Sequence, residues 1–361
     1  MERSILQEIT DARLQAYLKK NQFADRYWPA MFPLDYRDEL TWESLQGEEG
    51  ANIKADVIAY DSSAPEKGRS IIGKASGKIA KTAVIRSMRE EDFLMYRRLK
   101  KGATNDSEKQ AILNMVFNDV DFVVNGVNAT AEFLALQAAS TGKVILTKDN
   151  NSGLAVEVDM GIPAANKTNV TTLFSTTATA DYIAEVKKID KAARAKGVKL
   201  LHQFMDPETF DSIVALDKVK AAYGFYVSNN NVTYNGNIAV EDLNKLLSKN
   251  RLPEIHLIDT FIQNEDAKHV RTTIQPWKEG YITFATETVL GRLQHGPIAE
   301  EDAESVKKYA VQSKKGHILV TKWSDVNPVR EYTKGEGHFF PVLKNPESIF
   351  ILNTKSTSTF I

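Results

Sequence analysis

From residue 131 to 161 the chain reads AEFLALQAASTGKVILTKDNNSGLAVEVDMG, and there a helix, a stop and a hairpin follow one another without a gap. Ala131, Leu134, Ala135, Ala138 and Ala139 recur at helical spacing, and Gly142 stands where a left-handed residue closes a helix. Residues 144–147 and 154–158 are short β-branched runs, and Lys-Asp-Asn-Asn-Ser-Gly at 148–153 supplies the turn between them. On the second run the alternation predicts Leu154, Val156 and Val158 on a buried face, with Ala155, Glu157 and Asp159 in water. A helix feeding directly into a strand pair commits this part of the chain to a mixed α+β fold.

The flanking sequence adds elements of both kinds. Residues 2–20 carry Ile5, Leu6, Ile9, Leu14 and Leu18 among charges and predict an amphipathic helix. Residues 23–33, FADRYWPAMFP, are too rich in aromatics and proline for a regular helix and too apolar to lie bare in water. Two readings fit them: a strand entering the chain's own core, or an arm whose Phe23, Tyr27, Trp28 and Phe32 pack on another molecule. Two strand-like runs, 52–60 and 78–86, flank a Ser/Gly/Lys/Pro-rich tip and imply a long hairpin with too little apolar sequence at its end to form a core. Helical signals run from Glu90 to Thr141, with Asp106 or Ser107 as cap and Ile112, Met115, Val116, Val120 and Val123 at helical spacing. Gly126 predicts a kink in one long helix. Residues 166–179 read as an extended linker. Beyond them Asp181 caps a helix that ends at Gly197, strand 199–205 leads to Pro207 at a favoured first helical position, and a helix at 240–247 and strands at 254–261 and 281–286 follow. The tail predicts strands at 318–323, 329–332, 339–343 and 349–352, with turns at Gly335-Glu336-Gly337 and Asn345-Pro346.

A helix ending in a glycine turn, then a hairpin ending Val-Glu-Val-Asp-Met-Gly (156–161), resembles the major capsid proteins of tailed bacteriophages of the phage lambda type, which adopt the Hong Kong 97 capsid fold. The resemblance implies a long spine helix, peripheral and axial domains, an extended loop and an N-terminal arm. It divides the chain into an N-terminal arm (1–45), an extended loop (46–87), a peripheral domain with spine helix and hairpin (88–180), an axial domain (181–317) and C-terminal strands (318–361) that return to the peripheral sheet begun by the hairpin. In that family the extended loop lies over the adjacent subunit, so Lys67, Arg69 and Lys74 join the four aromatics as candidate intersubunit contacts.

Composition narrows the chemistry. The 361 residues, 42% hydrophobic and 26% charged, suit an ordinary globular protein of two or three domains. No run approaches the length of a membrane span, and the first residues are charged where a signal peptide needs apolar ones, so neither insertion nor secretion by that route is expected. The absence of cysteine removes disulfides, thiolate metal sites and cysteine nucleophiles. A net charge of −1 supplies no field to draw the protein onto phosphates, which argues against sequence-specific DNA binding and suits a shell that must release its genome.

Catalytic motifs are weak. Gly68 to Ala75 nearly spells a phosphate-binding loop, but Ala75 stands where a Ser or Thr hydroxyl is needed and strand-like sequence follows. The six histidines show no metal-ligand spacing along the sequence. Glu157 and Asp159 share a strand face, which a wet surface explains. No catalytic residue, cofactor or metal is therefore expected. The reading is a non-enzymatic viral major capsid protein that self-assembles into pentamers and hexamers of an icosahedral head shell enclosing phage DNA. Its expected partners are copies of itself and scaffold, portal and decoration proteins; its place is the virion, after assembly in the host cytoplasm. Two alternatives stand beside it: an encapsulin-like shell, and a nucleotide-binding α/β enzyme.

Overall fold

A computed structural model of the chain describes residues 9–20, 24–46, 73–102, 106–147, 155–228, 234, 236–266, 269–358 and 360. In chain order these form helices α1 (Asp11–Lys20) and α2 (Trp28–Met31), strands β1 (Leu34–Tyr36), β2 (Thr41–Gln46), β3 (Gly73–Lys78) and β4 (Ala80–Met88), and helices α3 (Glu90–Gly102) and α4 (Asp106–Thr141). Strands β5 (Lys143–Leu146), β6 (Val156–Asp159) and β7 (Lys167–Asn169) lead to α5 (Tyr182–Ala195), β8 (His202–Met205), α6 (Pro207–Val214), α7 (Asp217–Ser228) and α8 (Val240–Lys249). Then come β9 (Glu254–Leu257), β10 (Ile262–Glu265), β11 (Arg271–Ile274), β12 (Tyr281–Ala285), β13 (Gly291–His295), α9 (Ala299–Asp302) and α10 (Glu304–Tyr309). The chain finishes with β14 (Val311–Lys315), β15 (Ile318–Val326), β16 (Val329–Leu343) and β17 (Phe350–Asn353).

Two larger sheets share one long helix. The first has six strands in the order β1-β13-β16-β15-β14, with β4 also on β16; only β1 and β13 run parallel. The second has five strands in the order β7-β17-β12-β8-β9 and is mixed. Strand alternation lets this sheet serve two cores. Ile282, Phe284, Phe350, Leu352 and Met205 point into a core shared with α5 to α8, while Tyr281, Ala285, Ile351 and Phe204 join the core around α4. The α4 helix lies against both sheets, which explains why Val120, Val123, Val124, Val127, Leu134, Ala135, Leu136 and Ala138 are all buried rather than forming one stripe. At its end the Ala139 carbonyl accepts from Thr283 Oγ1 of the second sheet at 2.8 Å, and Gly142, at φ 69°, turns the chain into β5.

Close approach of helix and sheet rests on glycine. A Cβ at Gly335 would sit 2.9 Å from the Val123 carbonyl oxygen, and one at Gly126 would sit 3.2 Å from Val84 Cγ1 of β4. Gly126 thus lies within one unbroken 36-residue helix, at the place where a strand crosses it. The expected turn at 335–337 is corrected for the same reason: β16 runs straight through those glycines for 15 residues, and the reversal comes earlier, at Asn327-Pro328.

The amino-terminal segment packs on its own chain. Leu14 and Leu18 of α1 are buried, the Tyr17 ring stacks on Phe117 at 4.1 Å, and its hydroxyl donates to Asp121 of α4. Glu132 of α4, fully buried, accepts from the backbone N–H groups of Tyr27 at 3.0 Å and Trp28 at 2.8 Å, and so fixes the start of α2. Burial pushes the Glu132 carboxyl up, and those two N–H groups and Arg26 oppose it. The Trp28 ring meets His317 edge-on at 5.2 Å, and Phe32 fills a slot that Gly291 leaves open, where a Cβ would lie 2.6 Å from the ring.

Several expected boundaries move. The run expected as the second arm of the hairpin, 78–86, belongs mostly to β4, whose nine residues pair with β16; β2 and β3 form the hairpin stem instead, and residues 52–60 lie outside the described residues. The tail does not rejoin the 144–158 hairpin, because β5 and β6 form a separate two-stranded sheet. The strands also cross the expected division at residue 317: β13 and β14 pair within the sheet of β15 and β16, whereas β17 joins the second sheet. Within the 166–179 linker, β7 pairs in parallel with β17.

The sheet face of β16 opposite α4 carries charge. Lys334, Glu336 and His338 alternate along the strand; Lys334 bonds Glu336 at 2.8 Å and also meets Glu300, and Lys81 of β4 reaches Glu336 at 2.9 Å. Burial would raise the Glu336 carboxyl, but hydrogen bonds from His338, Lys334 and Lys81 outweigh it and hold the group below the usual carboxylate range. Towards α4, the nearly inaccessible Lys322 donates to Thr333 Oγ1 at 2.6 Å, with Glu331 at 3.8 Å.

Two predictions follow from this packing. Gly335→Val should overpack the crossing and lower stability by about 1–3 kcal/mol in urea unfolding, since both the Val123 backbone and the strand would have to move. Stability should also fall on acidification below about pH 6.5. Burial holds His317 down at about 3, so the unfolded chain takes up a proton first as pH drops through 6.5. Between pH 7 and pH 5 this one group should remove about 2 kcal/mol, and His317→Phe should flatten that part of the unfolding profile; below about pH 4.5 the unfolded chain takes up a proton at Glu336 while the folded carboxylate stays ionised, which should lower stability again.

Candidate assembly surfaces

Residues expected to touch neighbours fall into three groups. Trp28 and Phe32 are corrected as contacts: both rings are buried in the chain's own core by α4, β13 and β16, and they enter it on the short helix α2 and the residue that ends it, where a strand was expected. Tyr27 is half-buried, and its hydroxyl accepts from the Asp259 N–H at 3.3 Å. Phe23, Lys67 and Arg69 lie outside the described residues, and Lys74 is placed only by its backbone, opposite Leu45 in the β2–β3 ladder.

Other apolar side chains are exposed instead. On α3, Leu94 is 61% and Met95 58% exposed, while Tyr96 of the same helix is buried. Ile85 of β4 and Phe122 of α4 are also exposed, and the Arg86 guanidinium sits 4.8 Å over the Phe122 ring while bonding Asp119 at 3.2 Å. Further out, Phe261 and Val270 flank the β10–β11 hairpin, and Phe225 and Val227 end α7. These residues sit on separate elements, an arrangement that suits contact with several neighbours better than with one. The β10–β11 hairpin carried a weak sequence signal, because both its faces are largely polar and no hydrophobic alternation marks it.

The β5–β6 hairpin keeps its expected facing, but the face is covered only at one end. Val158 stands opposite Val144, which is fully buried, and is itself half-buried, whereas Val156, opposite Leu146 and further from the core, is exposed. The expected burial of Val156 is thus corrected, while its sharing a face with Val158 is not. Glu157 and Asp159 are exposed and ion-paired, to Lys143 at 2.7 Å and Lys167 at 3.6 Å, which accounts for both acids as a wet strand face.

The features that suggested a nucleotide are occupied by structure. Gly73 to Ala75 lie in strand β3, so no helix starts at Lys74 to present N–H groups to a phosphate. The N-terminus of α6 is taken by Asp206, whose carboxylate accepts from Thr209 N at 3.0 Å and Thr209 Oγ1 at 2.6 Å. An open groove of about 1520 Å³ runs between α5, α8 and the β8–β9 edge. Its walls carry Lys187, Lys191, Lys199 and Arg251 with Glu241 and Glu254, a mixed surface with a basic excess. On the other face of the same sheet edge His202, Glu254 and His256 come together, which spacing along the sequence could not reveal because β8 and β9 are separated by three helices.

Comparison with known proteins gives this architecture its place. The sequence model of the family described as phage major capsid protein E matches residues 45–354. Among solved structures, a protein described as a prophage capsid protein from E. coli CFT073 aligns with a TM-score of 0.57 at 14% identity, over 96% of this chain and 99% of that one. A phage-related protein from Bordetella bronchiseptica RB50 aligns with a TM-score of 0.55 at 12% identity, over 96% and 98%. No curated protein sequence matches significantly. The mixed helix-and-sheet architecture is that of the Hong Kong 97-type capsid proteins, and the chain belongs to the phage major capsid protein E family.

Proposed function

We propose that this shell-forming capsid protein closes into pentamers and hexamers that tile an icosahedral phage head around DNA. The observation that carries the reading is the family match across 45–354, in a subunit whose exposed apolar side chains are spread over separate elements. Head-to-tail contacts close into rings when their rotation permits, and projections that engage several neighbours let one sequence satisfy five-fold and six-fold geometry. The α3 face, with the exposed Leu94 and Met95, is a principal contact, and the β2–β3 stem carries the extended loop over an adjacent subunit. A net charge of −1 is consistent with DNA being enclosed without sequence-specific binding. The role is structural and non-enzymatic, played in the virion after assembly in the host cytoplasm, with scaffold, portal and decoration proteins as further partners.

Sedimentation of the full chain and two variants tests this. Wild type should form closed particles containing DNA when produced with its packaging partners. Particles that enclose protein cargo and no DNA would favour the encapsulin alternative. Leu94→Asp with Met95→Asp should leave the circular dichroism melt within a few degrees of wild type, because both side chains are already in water, yet reduce particle yield at least tenfold. Removal of residues 50–70, which spares the β2–β3 ladder, should likewise give folded subunits that assemble poorly. Wild-type particle yield from both variants would remove α3 and the extended loop from the contact surface.

A further inference from the structure

We propose that His202, Glu254 and His256 form a binding site for a divalent transition metal of the zinc class at the edge of the second sheet. Parallel pairing sets His202 of β8 opposite Glu254 of β9, and His256 follows two residues along the same strand. Strand alternation therefore puts all three side chains on one face, away from the core entered by Met205 and Ile255. Their ligand atoms lie within 4.8 Å of one another, and His202 Nδ1 stands 2.9 Å from His256 Nε2. Two imidazole nitrogens bound at about 2.0–2.1 Å to one ion are separated by about 2.9–3.4 Å for ligand angles between square and tetrahedral, so the rings need to move by only tenths of an ångström.

The surroundings favour a neutral, oriented ligand set. The Phe204 ring stacks on His256 at 5.2 Å and 26°, which fixes the imidazole plane. Burial and the neighbouring His202 hold His256 below its ordinary value, and a neutral imidazole is the form a metal requires. Two imidazoles and a carboxylate make the donor set that zinc accepts, and three protein ligands leave a position for water or a further group. Because β9 is the edge strand and Glu254 is exposed, the site opens at the sheet edge, beside the hollow that Tyr27, Phe204, Glu254 and His256 line.

The competing account is a plain His–His hydrogen bond. Full-length protein treated with chelator and titrated with Zn²⁺ against a competing indicator at pH 7.5 separates the two. The proposal requires one equivalent per subunit, with a dissociation constant on the order of 1 µM or tighter, and a single Co²⁺ d–d absorption envelope displaced by Zn²⁺. His202→Asn, His256→Asn and Glu254→Gln should each weaken binding at least tenfold, while His269→Asn, at the exposed Glu265 pair, should leave it unchanged. Glu254→Gln is an exposed, isosteric change, so its result stands even if a histidine variant fails to fold. Weaker wild-type binding, a different stoichiometry, or less than a tenfold loss in Glu254→Gln would overturn the site.

Discussion

One long helix held between two sheets sets the terms for everything else in this subunit. The α4 helix is buried on most of its circumference from Val120 to Ala139, and it can be so only because backbone replaces side chain at the crossings. Gly335 lets β16 come within contact of the Val123 carbonyl, and Gly126 admits Val84 from β4. Interiors pack at crystal-like density, so a methyl group would have to displace the Val123 main chain at Gly335 and the Val84 side chain at Gly126. The same helix supplies Glu132, whose two oxygens seat the α2 backbone, and Asp121, which holds α1. A rod that joins both sheets and the amino-terminal segment gives a rigid centre from which the β2–β3, β10–β11 and β5–β6 hairpins project.

That division between rigid centre and projecting hairpins is also the division between folding and assembly. Aromatic residues near the amino terminus stabilise the centre: fully burying a side chain such as Phe32 contributes about 2–3 kcal/mol, which an arm lying free in water would forgo. The exposed apolar groups are instead scattered over several elements, among them Leu94 and Met95 of α3 and Phe225 of α7. A shell built from many moderate contacts of this kind can be assembled and corrected, because no single contact is strong enough to trap a misplaced subunit.

Much of the fold was legible in the sequence where local physics decides it. The α4 helix with its Gly142 stop, the Asp181 cap, Pro207 at the start of α6 and strand β12 follow from periodicity and capping chemistry. The misreadings share one cause, which is that long-range packing outweighs local preference. Gly335 and Gly337 carry a turn signal, yet close approach is what requires them, of the α4 backbone at Gly335 and of Phe339 and the His317 carbonyl at Gly337. Val156 alternates like a core residue and shares a face with Val144 and Val158, but it lies at the end of that face which the core does not reach. Trp28 and Phe32 carry the composition of an interface, and only the position of Glu132 and Gly291 shows that the chain accommodates them itself. The histidine pair at 202 and 256 illustrates the same limit for chemistry, since parallel strands joined through three helices bring together residues that no linear motif connects.

Electron cryomicroscopy of assembled particles at side-chain resolution tests the account most directly. It predicts an unbroken α4 between the two sheets, Trp28 and Phe32 buried within their own subunit, and the α3 face with Leu94 and Met95 covered by a neighbour. A map in which Trp28 and Phe32 insert into an adjacent subunit while Leu94 and Met95 remain in solvent would contradict it.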